Sequence, residues 1–112
     1  MELYKPEVVS NDAVREVIGK PGKNVMFLTA DWCGDCKAIK PFVQKIKNLA
    51  TSEGATWVDA DRDANIDIAT EQGLRGIPAF VLFEDGKQVD HIGNGERLNP
   101  NDVIDWVNNK VL

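Results

Sequence analysis

Two cysteines stand two residues apart in the segment Ala30-Asp31-Trp32-Cys33-Gly34-Asp35-Cys36-Lys37. An almost continuous apolar run over residues 24–30 leads into it, and such a run is typical of a strand buried on both faces of a sheet. After the second cysteine, apolar residues recur at steps of three and four, which indicates one face of a helix. These residues are Ile39, Phe42, Val43, Ile46, Leu49 and Ala50. The sequence therefore predicts that the cysteine pair lies where a buried strand runs into a helix.

The spacing of Cys33 and Cys36 fits three kinds of site: a redox dithiol, half of a zinc site, and two small buried apolar side chains. A structural zinc ion takes four protein ligands, and the chain offers only His91 and carboxylates besides these two cysteines. Two cysteines within one turn close almost no loop, so a bond between them adds little stability. The redox interpretation is favoured because it explains why the pair stands at a helix start.

At such a helix start, unpaired backbone N–H groups and the helix dipole stabilise a negative charge. We therefore expect Cys33 to be the attacking thiolate. Cys36, one turn later, is expected to be less exposed and to attack the mixed disulfide that Cys33 forms. Gly34 leaves one side of the pair open to a partner chain. Trp32 has two open interpretations, a flat apolar platform beside the nucleophile and ordinary packing.

The other segments of the chain predict alternating helices and strands. Helices are expected at residues 11–18, at residues 65–72 and from residue 100 onward. Strands are expected at residues 55–60, 79–83 and 87–92. Asp85-Gly86 is a strong hairpin signal between the last two strands, the second of which is polar enough for a sheet edge. This order predicts an α/β fold, with a central mixed β-sheet flanked by helices on both faces.

Length and charge exclude several classes of protein. The chain has 112 residues, which fits a single domain over residues 1–112. Its apolar runs are far shorter than the roughly 18–20 residues of a membrane span. The formal net charge of −5, without a basic run, is unfavourable for nucleic acid, whose phosphates need neutralising. No secretory signal follows Met1, so we expect a cytoplasmic protein, and we expect it to be a monomer.

Taken together, the motifs resemble those of the thioredoxin family. The match consists of the cysteine segment with Pro41 five residues after Cys36, a proline loop at residues 75–78, a hairpin at residues 83–87, and Gly93. These motifs cover essentially the whole chain in order and spacing. The resemblance implies the thioredoxin fold and the activity of a protein disulfide oxidoreductase.

The resemblance also implies roles for individual residues. The bond between Ile77 and Pro78 is expected to be cis and to pack against the cysteine pair, and the backbone of Ile77 is expected to pair with an extended client segment. Trp32 and Gly93 are expected to complete the surface that binds the client. No cofactor is implied beyond the redox-active disulfide of the two cysteines. The implied partners are client proteins that contain disulfides, and a thioredoxin reductase.

Three positions depart from the pattern of the family. Asp35 stands where the family usually has proline, Phe27 where it has a buried aspartate that assists proton transfer, and Trp57 where it has the lysine that accompanies this aspartate. Both charges of that pair are thus expected to be absent together, which need not cost stability. Asp35, Asp59 and Asp61 are candidate proton acceptors instead, and we expect slower resolution of the mixed disulfide than in a standard thioredoxin. The same loss supports an alternative function, in which the fold serves protein interaction or regulation with little turnover.

Overall fold

The computed structural model describes residues 4–112, and its elements follow the order expected from the sequence. The helices are α1 (Asn11–Ile18), α2 (Gly34–Thr51), α3 (Ile66–Glu71) and α4 (Pro100–Trp106), and a π-helical turn over Val107–Val111 continues α4. The strands are β1 (Lys23–Thr29), β2 (Thr56–Asp61), β3 (Ala79–Glu84) and β4 (Lys87–Ile92). No helix within the described residues is long and apolar enough to cross a membrane.

The four strands form one mixed sheet in the order β2-β1-β3-β4. β1 runs parallel to β2 and antiparallel to β3, and β4 pairs antiparallel with β3 at the edge. β1 and β3 are buried along most of their length, as expected of apolar runs that are covered on both faces. The expected α/β fold around a central mixed sheet is thus confirmed.

Side chains alternate between the two faces of β1, and each face has its own apolar core. Val25 and Phe27 pack with apolar residues of α2 and α4, whereas Met26 and Leu28 pack with those of α1 and α3. Helices therefore flank both faces of the sheet. Thr29, the last residue of β1, follows the same alternation and lies on the face that α2 covers.

The β3–β4 hairpin has the turn that Asp85-Gly86 predicts. Both residues have positive φ, 52° and 85°, as the two central residues of a type I′ turn require. The register then shifts by one residue, so that Val89 bulges from β4. Exposed and half-buried residues alternate along β4, which is the polar edge strand that the sequence predicts.

The ends of several elements differ from the expectation. α3 spans Ile66–Glu71, one residue shorter at each end than predicted, and the π-helical turn at the chain end was not predicted. The Lys23 side chain contacts this chain end, since its Nζ donates to the backbone carbonyls of Lys110 and Val111 at 3.4 and 3.1 Å. Lys23 and Lys110 are 87 positions apart, so no local sequence pattern predicts this contact.

Candidate active site

Cys33 is the N-cap residue of α2. Its backbone is extended, with φ −85° and ψ 117°, and its Sγ accepts the backbone N–H of Cys36 at 3.1 Å. A sulfur in this position takes up one of the N–H groups that no helical turn satisfies. The helix dipole also favours a negative charge there. The structure thus places Cys33 at the strand-to-helix junction that the sequence predicts.

Cys36 lies one turn further into α2 and is fully buried, and both cysteines are free thiols. Removal from water, and then the hydrogen bond with Cys33, raise the pKa of the Cys36 thiol to about 11. The Thr29 hydroxyl and the backbone N–H of Ala30 act in the opposite direction and lower this pKa. At neutral pH Cys36 therefore holds its proton, and it must lose that proton before it can attack.

The proline loop lies directly against the cysteine pair. The peptide bond between Ile77 and Pro78 is cis, as the resemblance implies. The Cys33 thiol points at the carbonyl oxygen of Ile77, with an Sγ–O distance of 3.9 Å. The Ile77 side chain packs against the small cluster formed by Ala30 and the two cysteines. The backbone of Ile77 is therefore next to the expected nucleophile.

Gly93 supports the proline loop from the other side. It has a φ of +102°, and a Cβ atom on it would lie 2.3 Å from the carbonyl oxygen of Pro78. Gly76 makes an equally close approach, since a Cβ atom there would lie 2.2 Å from the backbone nitrogen of Gly95. No side chain fits between these two loops, which explains why glycine stands on both sides of the contact.

The rim of the site is open to solvent. Trp32 is 64% exposed, and its indole N–H donates to the Asp63 carboxylate at 2.7 Å. The packing interpretation of Trp32 is therefore wrong, and the ring presents a flat apolar surface beside Cys33. No other part of the described chain lies within 4 Å of the position that a Cβ atom on Gly34 would take. This side of the cysteine pair is open, as the sequence predicts.

Asp35 is paired with Arg97, which lies in the loop between β4 and α4. The Arg97 Nε lies 3.2 Å from the Asp35 Oδ1. Asp35 stands in the first turn of α2, where an acidic side chain is favourable. The guanidinium partly balances a negative charge that would otherwise oppose a thiolate on Cys33.

Comparison with known proteins agrees with this geometry. The family model for thioredoxin matches residues 5–109 of the chain. The chain belongs to the thioredoxin family. Proteins of this family are thiol–disulfide oxidoreductases, which act on disulfides of client proteins and are in general reduced by thioredoxin reductase. With its cysteine pair in place, the chain has the dithiol–disulfide oxidoreductase activity of a thioredoxin.

Individual thioredoxins are similar over most of their length. The thioredoxin of Malassezia sympodialis is 33% identical over 85 residues, which are 76% of this chain and 81% of that protein. The thioredoxin of Rickettsia conorii is 29% identical over 106 residues, 93% and 96% of the two chains. The solved Malassezia sympodialis structure matches with a TM-score of 0.80, 26% identity and coverage of 100% and 96%. Mitochondrial thioredoxin 3 of Saccharomyces cerevisiae matches with a TM-score of 0.74, 27% identity and coverage of 93% and 94%.

Aromatic rings occupy the place of the buried aspartate of other thioredoxins. Phe27 is fully buried and stacks on Phe80, with 4.7 Å between the ring centroids. The rings of Tyr4 and Trp57 each lie 6.3 Å from Phe27, measured between centroids. The absence of the usual carboxylate from β1 is therefore compensated by packing, and Cys36 has to lose its proton to another group.

Both charges of the usual pair are absent, as the sequence predicts, yet this region still holds a buried carboxylate. Asp59 is only 6% exposed and lies directly across from Phe27 in the parallel β1–β2 ladder. Its carboxylate accepts three donors, namely the Tyr4 hydroxyl at 2.7 and 2.8 Å, the Trp57 indole N–H at 3.0 Å and the Glu7 backbone N–H at 3.0 Å. These neutral donors replace water around the charge, which is why the carboxylate can be buried without a lysine.

The three candidate proton acceptors are all engaged elsewhere. Asp59 holds the donors just described, and Asp35 holds Arg97. Asp61 accepts the backbone N–H groups of Asp63 and Ala64 at 3.0 and 2.9 Å, so it caps the turn before α3. Within residues 4–112, none of the three carboxylates has a hydrogen bond to the resolving thiol.

The structure adds two residues to the site that the sequence interpretation missed. Thr29 lies against Cys36, and the signal for it is a hydroxyl at the end of an otherwise apolar run. Arg97 had no such signal, because its partner Asp35 is 62 positions away. Both residues stand next to the chemistry, one below the cysteine pair and one at its rim.

The zinc interpretation gains no further ligand from the described residues. No group of three or more His, Cys, Asp or Glu side chains within residues 4–112 is arranged to hold a metal ion. His91, the only histidine, is exposed on the edge strand β4. The Cys33 thiol faces the proline loop, where the geometry suits thioredoxin chemistry.

Proposed function

We propose that this chain is a small dithiol carrier that reduces disulfides of client proteins, with Cys33 as the attacking thiol and Cys36 as the resolving thiol. One observation carries the proposal: the Cys33 sulfur caps α2, and Cys36 stays fully buried one turn behind it with its backbone N–H on that sulfur. Cys33 is itself buried but keeps 8% of its surface exposed, whereas Cys36 keeps none, so the first sulfur can meet a client and the second can meet only the first.

The transfer of electrons needs no redox group other than the two cysteines. The Cys33 thiolate attacks one sulfur of a client disulfide, forms a mixed disulfide with it and releases the other client sulfur as a thiolate. Cys36 then loses its proton and attacks the Cys33 sulfur. The disulfide between Cys33 and Cys36 forms, and the remaining client sulfur leaves as a thiolate. Two electrons pass to the client, and the redox-active disulfide takes the place of a cofactor.

The client segment is proposed to lie along Ile77 and Pro78. An extended chain that pairs with the Ile77 backbone comes within reach of Cys33, whose sulfur is 3.9 Å from the Ile77 carbonyl oxygen. Backbone pairing accepts clients of different sequence, because it does not read their side chains. Trp32 borders this surface with an exposed ring, and Gly93 keeps it free of a side chain next to Pro78.

The electron donor is proposed to be a thioredoxin reductase, and the compartment the cytoplasm. The only two cysteines form the redox pair, so the fold has no structural disulfide to maintain, which suits a reducing compartment. A relative, thioredoxin-2 of Schizosaccharomyces pombe, is mitochondrial by its name, so cell fractionation is the measurement that decides the compartment. The protein is proposed to act as a monomer, without nucleic acid or a membrane.

Reduction of insulin by dithiothreitol tests the roles of the two cysteines. The wild-type chain is expected to accelerate the precipitation of the insulin B chain, and Cys33→Ser to abolish the acceleration. Cys36→Ser is the matched control, because it is expected to lose turnover while a mixed disulfide accumulates on Cys33. Equal rates for Cys33→Ser and the wild type contradict the proposal. A wild-type chain without any acceleration favours the interaction or regulatory function instead.

A second measurement tests the electron donor. The oxidised chain is mixed with a thioredoxin reductase, and the oxidation of NADPH is followed by absorbance. One NADPH is expected to be consumed for each disulfide between Cys33 and Cys36, since both reactions transfer two electrons. Reduction by glutathione alone, with no NADPH consumed by the reductase, contradicts this part of the proposal.

A further inference from the structure

Arg97 lies at the rim of the active site, in the loop between β4 and α4. Its side chain is 71% exposed, and its Nε donates to the Oδ1 of Asp35 at 3.2 Å. Asp35 follows Cys33 by two positions and stands in the first turn of α2. The guanidinium is therefore held beside the nucleophile by a residue of the cysteine motif itself.

The loop that carries Arg97 is anchored on both sides of this residue. Before it, Gly95 lies against the proline loop, so closely that a Cβ atom on Gly76 would be 2.2 Å from the Gly95 nitrogen. After it, Leu98 is only 7% exposed and packs in the core that α2 and α4 share. Arg97 is thus presented from a fixed backbone, and this backbone adjoins the surface on which the client is proposed to lie.

The guanidinium of Arg97 keeps hydrogen-bond donors that the fold does not use. An arginine side chain has five N–H donors in a planar fork. Within residues 4–112, only Nε of this side chain has a hydrogen-bond partner, so the two terminal amino groups have no protein acceptor. Their four N–H donors suit the two oxygens of a carboxylate. A site for an acidic side chain is therefore open at the rim.

The other side of the cysteine pair carries the opposite charge. Trp32 is bordered there by its neighbour Asp31, whose side chain is 97% exposed, and by Asp63, which accepts the indole N–H at 2.7 Å. Asp63 follows β2 and Arg97 follows β4, and these two strands are the opposite edges of the sheet. The nucleophile therefore lies between an arginine on one side and carboxylates on the other.

We propose that Arg97 is a client-binding residue that selects clients with a carboxylate beside their disulfide. The inference rests on the proposed function, in which Cys33 attacks a client that lies along Ile77 and Pro78. An acidic side chain on the Arg97 side of the client cysteine binds the terminal amino groups of the guanidinium, while Nε keeps its bond to Asp35. A basic side chain at that position is repelled. Backbone pairing accepts any sequence, and Arg97 adds a reading of charge at one position.

Asp35 tunes this selection in two ways. Its hydrogen bond to Nε fixes the orientation of the Arg97 guanidinium, and its negative charge competes with the client for the same cation. An exposed ion pair is weak in water, so this competition reduces the preference of Arg97 for a client carboxylate without abolishing it. Removal of the Asp35 charge is therefore expected to increase the preference.

Peptides that differ in one residue measure the selection. Each carries a cysteine activated as its 2-pyridyl disulfide, with glutamate, glutamine or lysine placed shortly before or shortly after it. Cys33 attacks the peptide sulfur and releases pyridine-2-thione, which absorbs light and is neutral, so Arg97 does not bind the leaving group. At one of the two placements the glutamate peptide is expected to react about fivefold faster than the glutamine peptide, the upper end for one exposed ion pair. The lysine peptide is expected to be slower than both.

The ratio of the glutamate rate to the glutamine rate is the readout, because a change in the reactivity of Cys33 affects both peptides equally. Arg97→Gln is expected to bring this ratio to about one, and Arg97→Lys to keep part of it, since a lysine offers charge without the fork. Asp35→Asn keeps an acceptor for Nε and is expected to raise the ratio. Lys87→Gln is the matched control, because it removes the same charge from the far end of β4.

Three results overturn the proposal. In the first, the wild-type chain attacks the glutamate and glutamine peptides at equal rates at both placements. In the second, Arg97→Gln keeps the wild-type ratio. In the third, Lys87→Gln loses the ratio as fully as Arg97→Gln does, since the net charge of the chain then explains the preference.

Binding without chemistry keeps this test independent of the proposed function. In a Cys33→Ser chain, the NMR signal of the Arg97 Nε–H is followed while peptides with serine in place of the cysteine are added. The glutamate peptide is expected to shift this signal more than the glutamine peptide does, and equal responses overturn the proposal even if the chain reduces insulin. A wild-type chain that attacks none of the activated peptides contradicts the role of Cys33, and this titration then decides the role of Arg97.

Discussion

Asp59 and Thr29 are buried polar side chains on neighbouring strands, yet their surroundings are opposite. Three donors, from Tyr4, Glu7 and Trp57, surround the Asp59 carboxylate, whereas the Thr29 hydroxyl has no hydrogen bond within the described residues. The first arrangement fastens the N-terminal segment to β2. The second leaves a hydroxyl available beside the resolving thiol. A saturated polar group stabilises a fold, and an unsaturated buried one lowers its stability.

The largest effect on stability is expected from Asp59→Ala. The variant leaves three donors without their acceptor, and we expect the free energy of unfolding to fall by about 2–4 kcal/mol. Urea unfolding of the reduced protein measures it. Asp105→Ala is the control, since Asp105 is exposed on α4 and its loss is expected to cost no more than about 0.5 kcal/mol. Equal midpoints for the two variants contradict the role given to Asp59.

Tyr4→Phe removes one donor and keeps the ring. Because a hydrogen bond to a charged acceptor contributes more than a neutral one, we expect a loss of about 1.5–3 kcal/mol in the free energy of unfolding. The loss is expected to be smaller than that of Asp59→Ala, and in the Asp59→Ala background it is expected to shrink. If the two losses in the free energy of unfolding add up in the double variant, Tyr4 and Asp59 do not share one hydrogen-bond network.

The Cys36 thiol makes the stability of the reduced protein depend on pH. Its pKa is raised to about 11 in the fold, so in alkaline solution the unfolded chain releases this proton first. The stabilising contribution is complete below about pH 9 and is lost as the pH rises to about 11. We expect a decline of about 2 kcal/mol over this window relative to Cys36→Ala, which keeps every other titrating group. If the free energies of unfolding of the two proteins change with pH in parallel, the Cys36 thiol makes no such contribution.

The smallest effect on stability is expected from Thr29→Val, in the opposite direction. Since the hydroxyl has no partner to lose, its removal is expected to leave the free energy of unfolding unchanged or to raise it by up to about 1 kcal/mol. The urea midpoint of the reduced protein measures the change. A clear destabilisation shows that the hydroxyl is satisfied in solution, and the contrast with Asp59 then disappears.

Much of the fold was predictable because its signals are local. The apolar run before the cysteines predicts β1, the three-and-four spacing after them predicts α2, and Asp85-Gly86 predicts the turn before the edge strand. Each of these signals depends on neighbours within about one turn or one strand. The ends of α3 and the π-helical turn escaped prediction because they depend on contacts with distant parts of the chain.

The candidate site likewise has one part that local sequence signals predict and another part that they do not. Cys33, Cys36 and the openness at Gly34 follow from the motif itself, and the cis bond at Pro78 followed from the resemblance alone. The surroundings of the motif could not be predicted from the sequence. The buried charge of Asp59 depends on the register of β2 against β1 and on donors from a segment more than 50 positions away, and neither can be read from local periodicity.

The contact between Gly76 and Gly95, with Gly93 against Pro78, is backbone on backbone. A backbone surface has no side chain to vary, so its shape beside the nucleophile is the same for every client. Any preference of this chain for one client over another has to come from the residues that border this surface. Among these, Trp32 and the charged pair of Asp35 and Arg97 are where diverging relatives can acquire new selectivity while the exchange chemistry stays the same.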